Sequence, residues 1–287
     1  SQLGALLNLD VVQQPVYSWG CASGHAIRMA ARMTGRTKVL LPQLSDPERR
    51  SVIQTYCQPD SMAGAIDVVT VAADPTSGRL DLADLKSKLG DDVAAVYFEN
   101  PAYLGTIETG AAEVAKLARS AGAETIVGVD PISLGVMVAP GDYGADIVTG
   151  PVQPLGVHMH CGGGVGGFIA SRDDPRYVHE YNGFLVSIVE TQQPGQHGFG
   201  LAVPHQNSYG MREHGKDWTG NSTYLWSIAG AVYMSLLGPE GFREVGSLIV
   251  SNARYAAKLL SDIPGIRIVW PDTTFKEFVV NFDDTAR

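Results

Sequence analysis

Residues 125–168 contain the side chains whose types and spacing could do chemistry. A short apolar strand is predicted at residues 125–129, and it places Asp130 at its carboxyl end. A second strand follows at residues 146–149, and a glycine-rich stretch occupies residues 162–167. A carboxylate at such a strand end can pair with a protonated ring nitrogen, or it can cap the following turn. We favour the first role, because residues 131–135 look like a loop and not like a helix start.

An acid, a strand and a glycine cluster in this order are typical of a pyridoxal phosphate site. That cofactor reacts through a lysine amine, which should come directly after the second strand. The residues there are Val152, Gln153 and Pro154, and no lysine occurs between Lys116 and Lys216. The sequence therefore indicates a pyridoxal phosphate-type scaffold without its reactive amine.

A second candidate site lies at residues 20–25, where small residues begin a predicted helix. Free N–H groups at a helix N-terminus attract anions, so Cys21 and Ser23 could hold a phosphate, or they could simply cap the helix. A reactive Cys21 paired with His25 is a less favoured alternative, since no third group completes it. Asn100 follows a buried strand, as Asp130 does, and should lie at the same edge of the sheet.

Two further patterns do not support the sites that they suggest at first sight. Residues 162–167 contain G-x-G-x-x-G, but strand-like residues 168–170 follow, whereas a dinucleotide fingerprint must open a helix. His158, His160 and Cys161 could bind a metal, but no second ligand cluster accompanies them, so we predict no metal site. We interpret the two histidines as residues that line a site or belong to an ordinary loop.

Residues 209–222 are polar, charged and aromatic, and they precede a long apolar helix. A solvated loop is the simple interpretation. We favour a loop that faces a partner, because Arg212 and Lys216 could bind an anion that the acidic remainder of the chain would repel.

Strand-like and helix-like segments alternate through the first 170 residues. This alternation predicts an α/β fold with a mostly parallel sheet flanked by helices. We predict a large domain at residues 1–241 and the start of a small C-terminal α+β subdomain, with strands at 266–270 and 277–282, at residues 242–287. Residues 14–20 are predicted to form a turn, and residues 173–220 to be irregular.

Composition narrows the classes of function. The chain has 287 residues, of which 45% are hydrophobic, enough for a large core. The net charge of -9 argues against nucleic acid and anionic membranes as partners. The three cysteines show no pairing pattern, which favours a reducing cytoplasm. We expect a cytoplasmic protein with no membrane span and no leader at Ser1.

Short motifs spread from Tyr17 to Phe282 match one family when they are taken together. They are Tyr17 and residues 34–36, 99–105, 130–135, 140–146, 162–163, 185–187, 237–241 and 277–278. Together they resemble the first (alpha, amino-terminal-half) subunit of glycine decarboxylase, the P-protein of the glycine cleavage system. The resemblance implies the fold of the pyridoxal phosphate-dependent transferases of fold type I.

The resemblance also implies a division of labour between subunits. In two-subunit P-proteins the beta subunit carries the reactive lysine, and the alpha subunit completes the shared active site, which agrees with Pro154 at the lysine position. The complex decarboxylates glycine oxidatively and passes the aminomethyl group to the lipoyl arm of the H-protein. The implied partners are a lysine-bearing beta-type subunit, in a heterodimer or heterotetramer, and the H-protein. Pyridoxal phosphate would be bound covalently by the beta-type partner and not by this chain.

Residue roles follow from the same resemblance. The vestigial cofactor-binding residues would be Asp130, Cys21, Ser23 and Asn100. The residues that line the partner's site would be Tyr17, His158, His160, Arg212, Thr219 and Asn221.

The sequence departs from the family pattern in places that would line a site. The family's Arg-Arg and Thr-Ser-Asn patterns are changed at residues 211–213 and 219–221, and Trp19 and His25 replace small or acidic residues. We also expect the segment before Tyr17 to be shortened and most of the small domain to be absent. Two alternatives therefore stay open: an enzyme of this type that acts on another amino acid, and a catalytically silent scaffold that has lost the cofactor.

Overall fold

The computed structural model describes residues 1–159, 166–181, 183, 185–202, 213, 215–216, 224–271, 274–283 and 285. The strands are β1 (Val11–Val16), β2 (Lys38–Pro42), β3 (Asp67–Val71), β4 (Val93–Glu99), β5 (Glu124–Gly128), β6 (Ile147–Pro151), β7 (Gly167–Ser171), β8 (Leu185–Glu190), β9 (His197–Ala202), β10 (Arg267–Val269) and β11 (Val279–Asn281). The α-helices are α1 (Gln2–Leu7), α2 (Trp19–Thr34), α3 (Pro47–Cys57), α4 (Leu82–Lys88), α5 (Ala111–Ser120), α6 (Pro175–Val178) and α7 (Tyr224–Ser261). Two 3-10 helices span Pro131–Gly135 and Pro140–Tyr143.

A seven-stranded sheet forms the centre of the fold, in the order β1-β7-β6-β5-β4-β2-β3. The five adjacent strands β6, β5, β4, β2 and β3 run parallel to one another, whereas β7 is antiparallel to its two neighbours, β6 and β1. The predicted α/β class with a mostly parallel sheet is confirmed. In such sheets the carboxyl ends of parallel strands lie at one edge, where ligands bind.

Strand β4 shows why its sequence is apolar throughout. Its residues are buried along the whole strand. Val96 and Phe98 pack into a core with α1, α4, α5 and α7 on one face, while Ala95 and Tyr97 pack with α2 and α3 on the other. A strand covered on both faces has no polar side, so a continuous apolar run is expected.

Two predictions about irregular regions are wrong. Residues 14–20 do not form a turn, because β1 continues to Val16 and pairs with β7, and α2 begins at Trp19. Residues 173–220 contain the short helix α6 and an antiparallel hairpin of β8 and β9. The glycines and glutamines of this hairpin hide its strand pattern in the sequence.

The C-terminal part of the described chain is one long helix and a small hairpin. Helix α7 is interrupted at Gly238, directly before Pro239, where φ is 58° and ψ is -177°. Strands β10 and β11 pair antiparallel in a separate two-stranded sheet. The division at residue 241 therefore falls inside α7, and the two-domain organisation stays a prediction. None of the described helices is both long and apolar enough to cross a membrane.

Glu124 at the start of β5 leads to a prediction about pH. Its carboxylate is buried and pairs with the Tyr177 hydroxyl at 2.8 Å and with the Arg176 guanidinium. Burial, and then the charge of Asp146, raise the pKa of Glu124 above its ordinary value of 4.5. A carboxyl whose pKa is raised in the fold stabilises the fold at low pH, and this contribution is lost as pH rises from about 4.5 through the raised pKa.

We therefore expect the free energy of unfolding of the native chain, minus that of Glu124→Gln, to fall as pH rises from about 4 to 7. Chemical denaturation of both proteins across this range measures the difference. If this difference in the free energy of unfolding increased with pH, the Arg176 ion pair would have a larger effect on the pKa of Glu124 than burial has.

Candidate functional site

Helix α2 lies at the base of the candidate site. Ser18 is its N-cap, and the Ser18 hydroxyl accepts a hydrogen bond from the Cys21 backbone N–H at 3.2 Å. The fully buried Ala22, Ala26 and Ala30 recur every four residues, and their small size lets the helix lie close to the sheet. The cap is therefore Ser18, and the prediction that Cys21 or Ser23 caps the helix is wrong.

Ser23 belongs to a chain of buried hydroxyl groups. Its hydroxyl donates to the Tyr97 hydroxyl at 3.3 Å and lies 3.1 Å from Thr149 Oγ1. Tyr97 in turn donates to Glu99 Oε1 at 2.8 Å. Since a hydroxyl has one proton, Thr149 is the donor to Ser23. Helix α2 begins early enough to turn the buried Ser23 toward the sheet, and a phosphate-binding role of its hydroxyl stays a prediction.

The hydroxyl chain ends on a buried ion pair at the carboxyl end of β4. Arg49 donates from Nε to Glu99 Oε1 at 2.6 Å and from Nη2 to Oε2 at 2.9 Å, which is a bidentate pair. Burial alone would lower the pKa of Arg49, but the charge and hydrogen bonds of Glu99 raise it. Burial, and then the Glu99 charge, raise the pKa of Tyr97 well above its ordinary value. The Arg49 guanidinium thus stays charged while the Tyr97 phenol stays protonated.

Trp19, the first residue of α2, covers this ion pair. The Arg49 guanidinium lies 3.8 Å from the centroid of the indole ring, within range of a cation–π interaction. The edge of the same ring approaches Gly128, the last residue of β5. Trp19 therefore fills the space above two neighbouring strand ends.

Asp130 lies two residues beyond β5, and both of its carboxylate oxygens have partners. Oδ1 accepts the Ile132 backbone N–H at 3.0 Å, and Oδ2 accepts the Lys276 ammonium at 2.5 Å. The first contact caps the 3-10 helix Pro131–Gly135, so the prediction of a loop after Asp130 is wrong. The capping role and an ion pair with the chain's own lysine are the contacts that the structure shows.

Asn100 follows β4 and holds a loop together. Its Oδ1 accepts the Glu108 backbone N–H at 3.0 Å, and its Nδ2 donates to the Glu108 carbonyl at 3.4 Å. Pro154 lies in a turn after β6, in which the Leu155 N–H donates to the Val152 carbonyl. The Asn100 amide is thus engaged within the chain, and the proposed lysine position is part of a tight turn.

The predicted lining residues can be followed only in part. Tyr17 is 50% exposed just before α2, and His158 is exposed after β6. The predictions for His160, Arg212, Thr219 and Asn221 fall outside the described residues. His25 is buried, and its Nε2 lies 3.2 Å from the Tyr56 hydroxyl. Within the described part of the chain, no group of three or more potential metal ligands comes together.

These residues do not fit pyridoxal phosphate as a resident cofactor of this chain. Pro154 has no amine for the covalent link, and the carboxylate of Asp130 is neutralised by Lys276. The Ser23 hydroxyl donates its proton to Tyr97 in the sheet. What the arrangement can do is hold the strand ends rigid and present the exposed Tyr17 and His158 beside them.

Sequence reasoning missed Arg49 and Lys276 as members of this site, and it noted Trp19 only as a departure from the family pattern. Glu99 and Arg49 are separated by 50 residues, and Lys276 and Asp130 by 146. The available signals were weak: an acid at the end of a buried strand, and a lysine beside the motif at 277–278. Neither pattern indicates which residue would form the ion pair.

The sheet order and the strand-end site define the fold class. Solved structures match the chain in fold: a glycine decarboxylase (P-protein) of the glycine cleavage system in inhibitor-bound form, with a TM-score of 0.85 at 33% identity, and a sphingosine-1-phosphate lyase of Burkholderia pseudomallei, with a TM-score of 0.69 at 14% identity. The first match covers 95% of this chain and 59% of that chain, and the second 98% and 62%. This is the fold-type I architecture of pyridoxal phosphate-dependent enzymes.

Sequence comparison is more specific. The family model of the glycine cleavage system P-protein matches residues 3–286, and the chain belongs to this family. Relatives named probable glycine dehydrogenase (decarboxylating) subunit 1 are 36% identical over 283 residues in Saccharolobus islandicus strain L.S.2.15 and 33% identical over 285 residues in Staphylothermus marinus. These matches cover 98% and 99% of this chain but 61% and 60% of those relatives, so the chain spans about three-fifths of their length.

Proposed function

We propose that this chain is a subunit 1-type component of a glycine decarboxylase (P-protein)-like enzyme. In this proposal it anchors no cofactor and completes the active site of a lysine-bearing beta-type subunit. The complex would decarboxylate glycine oxidatively and pass the aminomethyl group to the lipoyl H-protein. The observation that carries the proposal is the Pro154 turn after β6, in a family whose relatives bear the name subunit 1.

Exposed apolar side chains support a partner chain. In the β8–β9 hairpin Val186, Ile188, Phe199 and Leu201 are between 53% and 82% exposed. Val186 faces Leu201 and Ile188 faces Phe199 across the hairpin, so all four share one face. An isolated two-stranded hairpin is marginally stable in water, and an uncovered apolar face favours association. We assign this face to the beta-type subunit.

A second exposed apolar stripe lies on the first half of α7. Leu225, Ile228, Val232 and Leu236 are between 55% and 81% exposed, at helical spacing. A helix whose outer face is apolar is typical of an element that is covered by another chain. We include this stripe in the same partner surface.

The remaining roles are proposed from the family resemblance. Tyr17 and His158 are exposed, and we propose that they line the shared site together with His160, Arg212, Thr219 and Asn221. Pyridoxal phosphate would supply carbanion stabilisation from the partner's side. This chain would contribute shape and polar contacts.

Reconstitution with the beta-type subunit and a lipoylated H-protein tests the glycine assignment. We expect exchange of labelled bicarbonate into the glycine carboxyl group only when both subunits are present. Turnover of another amino acid without glycine exchange would instead show the second candidate, an enzyme of this class with a different substrate. The presence of Trp19 and His25 beside Tyr17 is the feature that favours that second candidate.

Combined Tyr17→Ala and His158→Ala substitutions test whether this chain lines the shared site. If the complex with both substitutions kept the full exchange rate, this chain would not line the site. We expect a loss of exchange activity with intact assembly. Assembly is measured by size-exclusion chromatography of the same samples, so loss of binding is not mistaken for loss of chemistry.

A further inference from the structure

The ion pair between Lys276 and Asp130 joins two distant parts of the chain. The side chain of Asp130 is 8% exposed and that of Lys276 is 42% exposed. Burial lowers the pKa of Lys276, but the charge of Asp130 and their hydrogen bond raise it above its ordinary value, so the lysine is charged. Asp130 therefore has a permanent cationic partner supplied by residues close to β11.

The residues around Lys276 are fixed to the sheet edge by further contacts. Thr274 forms a bridge with Thr106, and the Phe275 N–H donates to the Gly105 carbonyl at 3.2 Å. The Phe275 side chain is fully buried. Residues 274–277 thus lie against the loop that follows β4, and the ammonium of Lys276 reaches Asp130 from this docked segment.

Gly105 shows how close that approach is. Its φ is 89°, and a Cβ built there would lie 1.8 Å from the Glu277 carbonyl oxygen. Any other residue would clash with the backbone of the docked segment and would also be strained. The packing of residues 274–277 is therefore built into the loop and does not depend on the ion pair alone.

Trp19 closes the neighbouring part of the same edge. A Cβ at Gly128 would lie 3.1 Å from Cζ2 of the indole. The Arg49 guanidinium lies against the same ring. A flat aromatic side chain thus already lies above the strand end that leads to Asp130, beside the residues that a ring-shaped cofactor would need.

We propose that Lys276 takes the place of a cofactor's ring nitrogen as the counter-ion of Asp130. The carboxylate then acts as a latch that fastens residues 274–277 to the sheet, and the chain retains no pyridoxal phosphate, even non-covalently. A pyridinium would have to displace an ammonium that is hydrogen-bonded to Asp130 at 2.5 Å, and the displaced Lys276 would keep only its longer ion pair with Glu277, at 3.6 Å. The inference uses only the fold of the family and goes beyond the proposed catalytic partnership.

Two measurements on the complete chain, together with its partner, test the proposal. The first is equilibrium dialysis with pyridoxamine phosphate, which has no aldehyde and cannot link to a lysine. The partner's cofactor is first fixed by borohydride reduction, so further uptake reports this chain. We expect no uptake. Uptake of one equivalent per chain, removed by Asp130→Asn, would overturn the proposal.

The second measurement is hydrogen exchange at the Phe275 amide. Lys276→Met keeps the length of the side chain but removes its charge, and we expect exchange to accelerate roughly tenfold, which corresponds to about 1.4 kcal/mol. Lys276→Arg should restore slow exchange, and Lys258→Met on the exposed face of α7 should not change it. Unchanged exchange in Lys276→Met would overturn the latch. Neither measurement depends on glycine turnover. A failed test of the proposed function can therefore be told apart from a failed test of the Lys276 proposal.

Discussion

Replacing Glu99 with alanine should lower the free energy of unfolding by about 3–5 kcal/mol, because it leaves a buried arginine without its counter-ion. The Glu99 side chain is 3% exposed and that of Arg49 is 15% exposed, so water cannot replace the lost carboxylate. The substitution also removes the acceptor of the Tyr97 hydroxyl. Urea denaturation monitored by circular dichroism measures the change.

Two variants make this result specific. Glu99→Gln keeps the shape and an acceptor oxygen, so we expect a smaller loss than with alanine. Glu240→Ala breaks the exposed pair with Arg243, in which the side chains are 83% and 68% exposed, and should change stability by less than about 0.5 kcal/mol. If Glu99→Ala were as harmless as Glu240→Ala, the buried pair would not support the strand ends.

Replacing Phe199 with glutamate should weaken binding to the beta-type subunit by about a hundredfold, without destabilising this chain. Phe199 is 82% exposed on the apolar face of the β8–β9 hairpin, so in the isolated chain the new charge stays in water. In a complex it would be buried without a partner, which costs more than about 2 kcal/mol at the centre of an interface. Sedimentation velocity or titration calorimetry with the partner measures the affinity.

Val138→Glu is the matched control for this substitution. Val138 is 64% exposed and follows the 3-10 helix Pro131–Gly135, away from the hairpin in sequence. The same apolar-to-acidic change there should leave the affinity unchanged. Equal loss in both variants would indicate a general effect of charge, and no loss with Phe199→Glu would remove the hairpin from the partner surface.

The large-scale fold follows from the sequence because its signals are local. The apolar run of β4 requires cover on both faces, and the break at Gly238 has a local backbone cause. The sequence also shows the order of Asp130, strand β6 and the strand that follows the glycine-rich stretch. These features place the strand ends at one edge without knowledge of any long-range contact.

The contacts within the site could not be predicted, because they join residues that are far apart in the chain. The orientation of Ser23 depends on where α2 starts, and a helix start moved by a few residues turns a hydroxyl from an anion site toward the sheet. The partners of Glu99 and Asp130 depend on how α3 and residues 274–277 pack against the sheet. The β8–β9 hairpin was missed because Gly198 and Gly200 weaken its strand pattern.

This chain has the fold of a pyridoxal phosphate enzyme, and borohydride trapping is the sharpest test of our claim that it anchors no cofactor. The chain and its beta-type partner are incubated with pyridoxal phosphate, reduced with tritiated borohydride, separated and digested for peptide mapping. We predict a labelled lysine in the partner and none in this chain. A stoichiometric label on a lysine of this chain would contradict the claim.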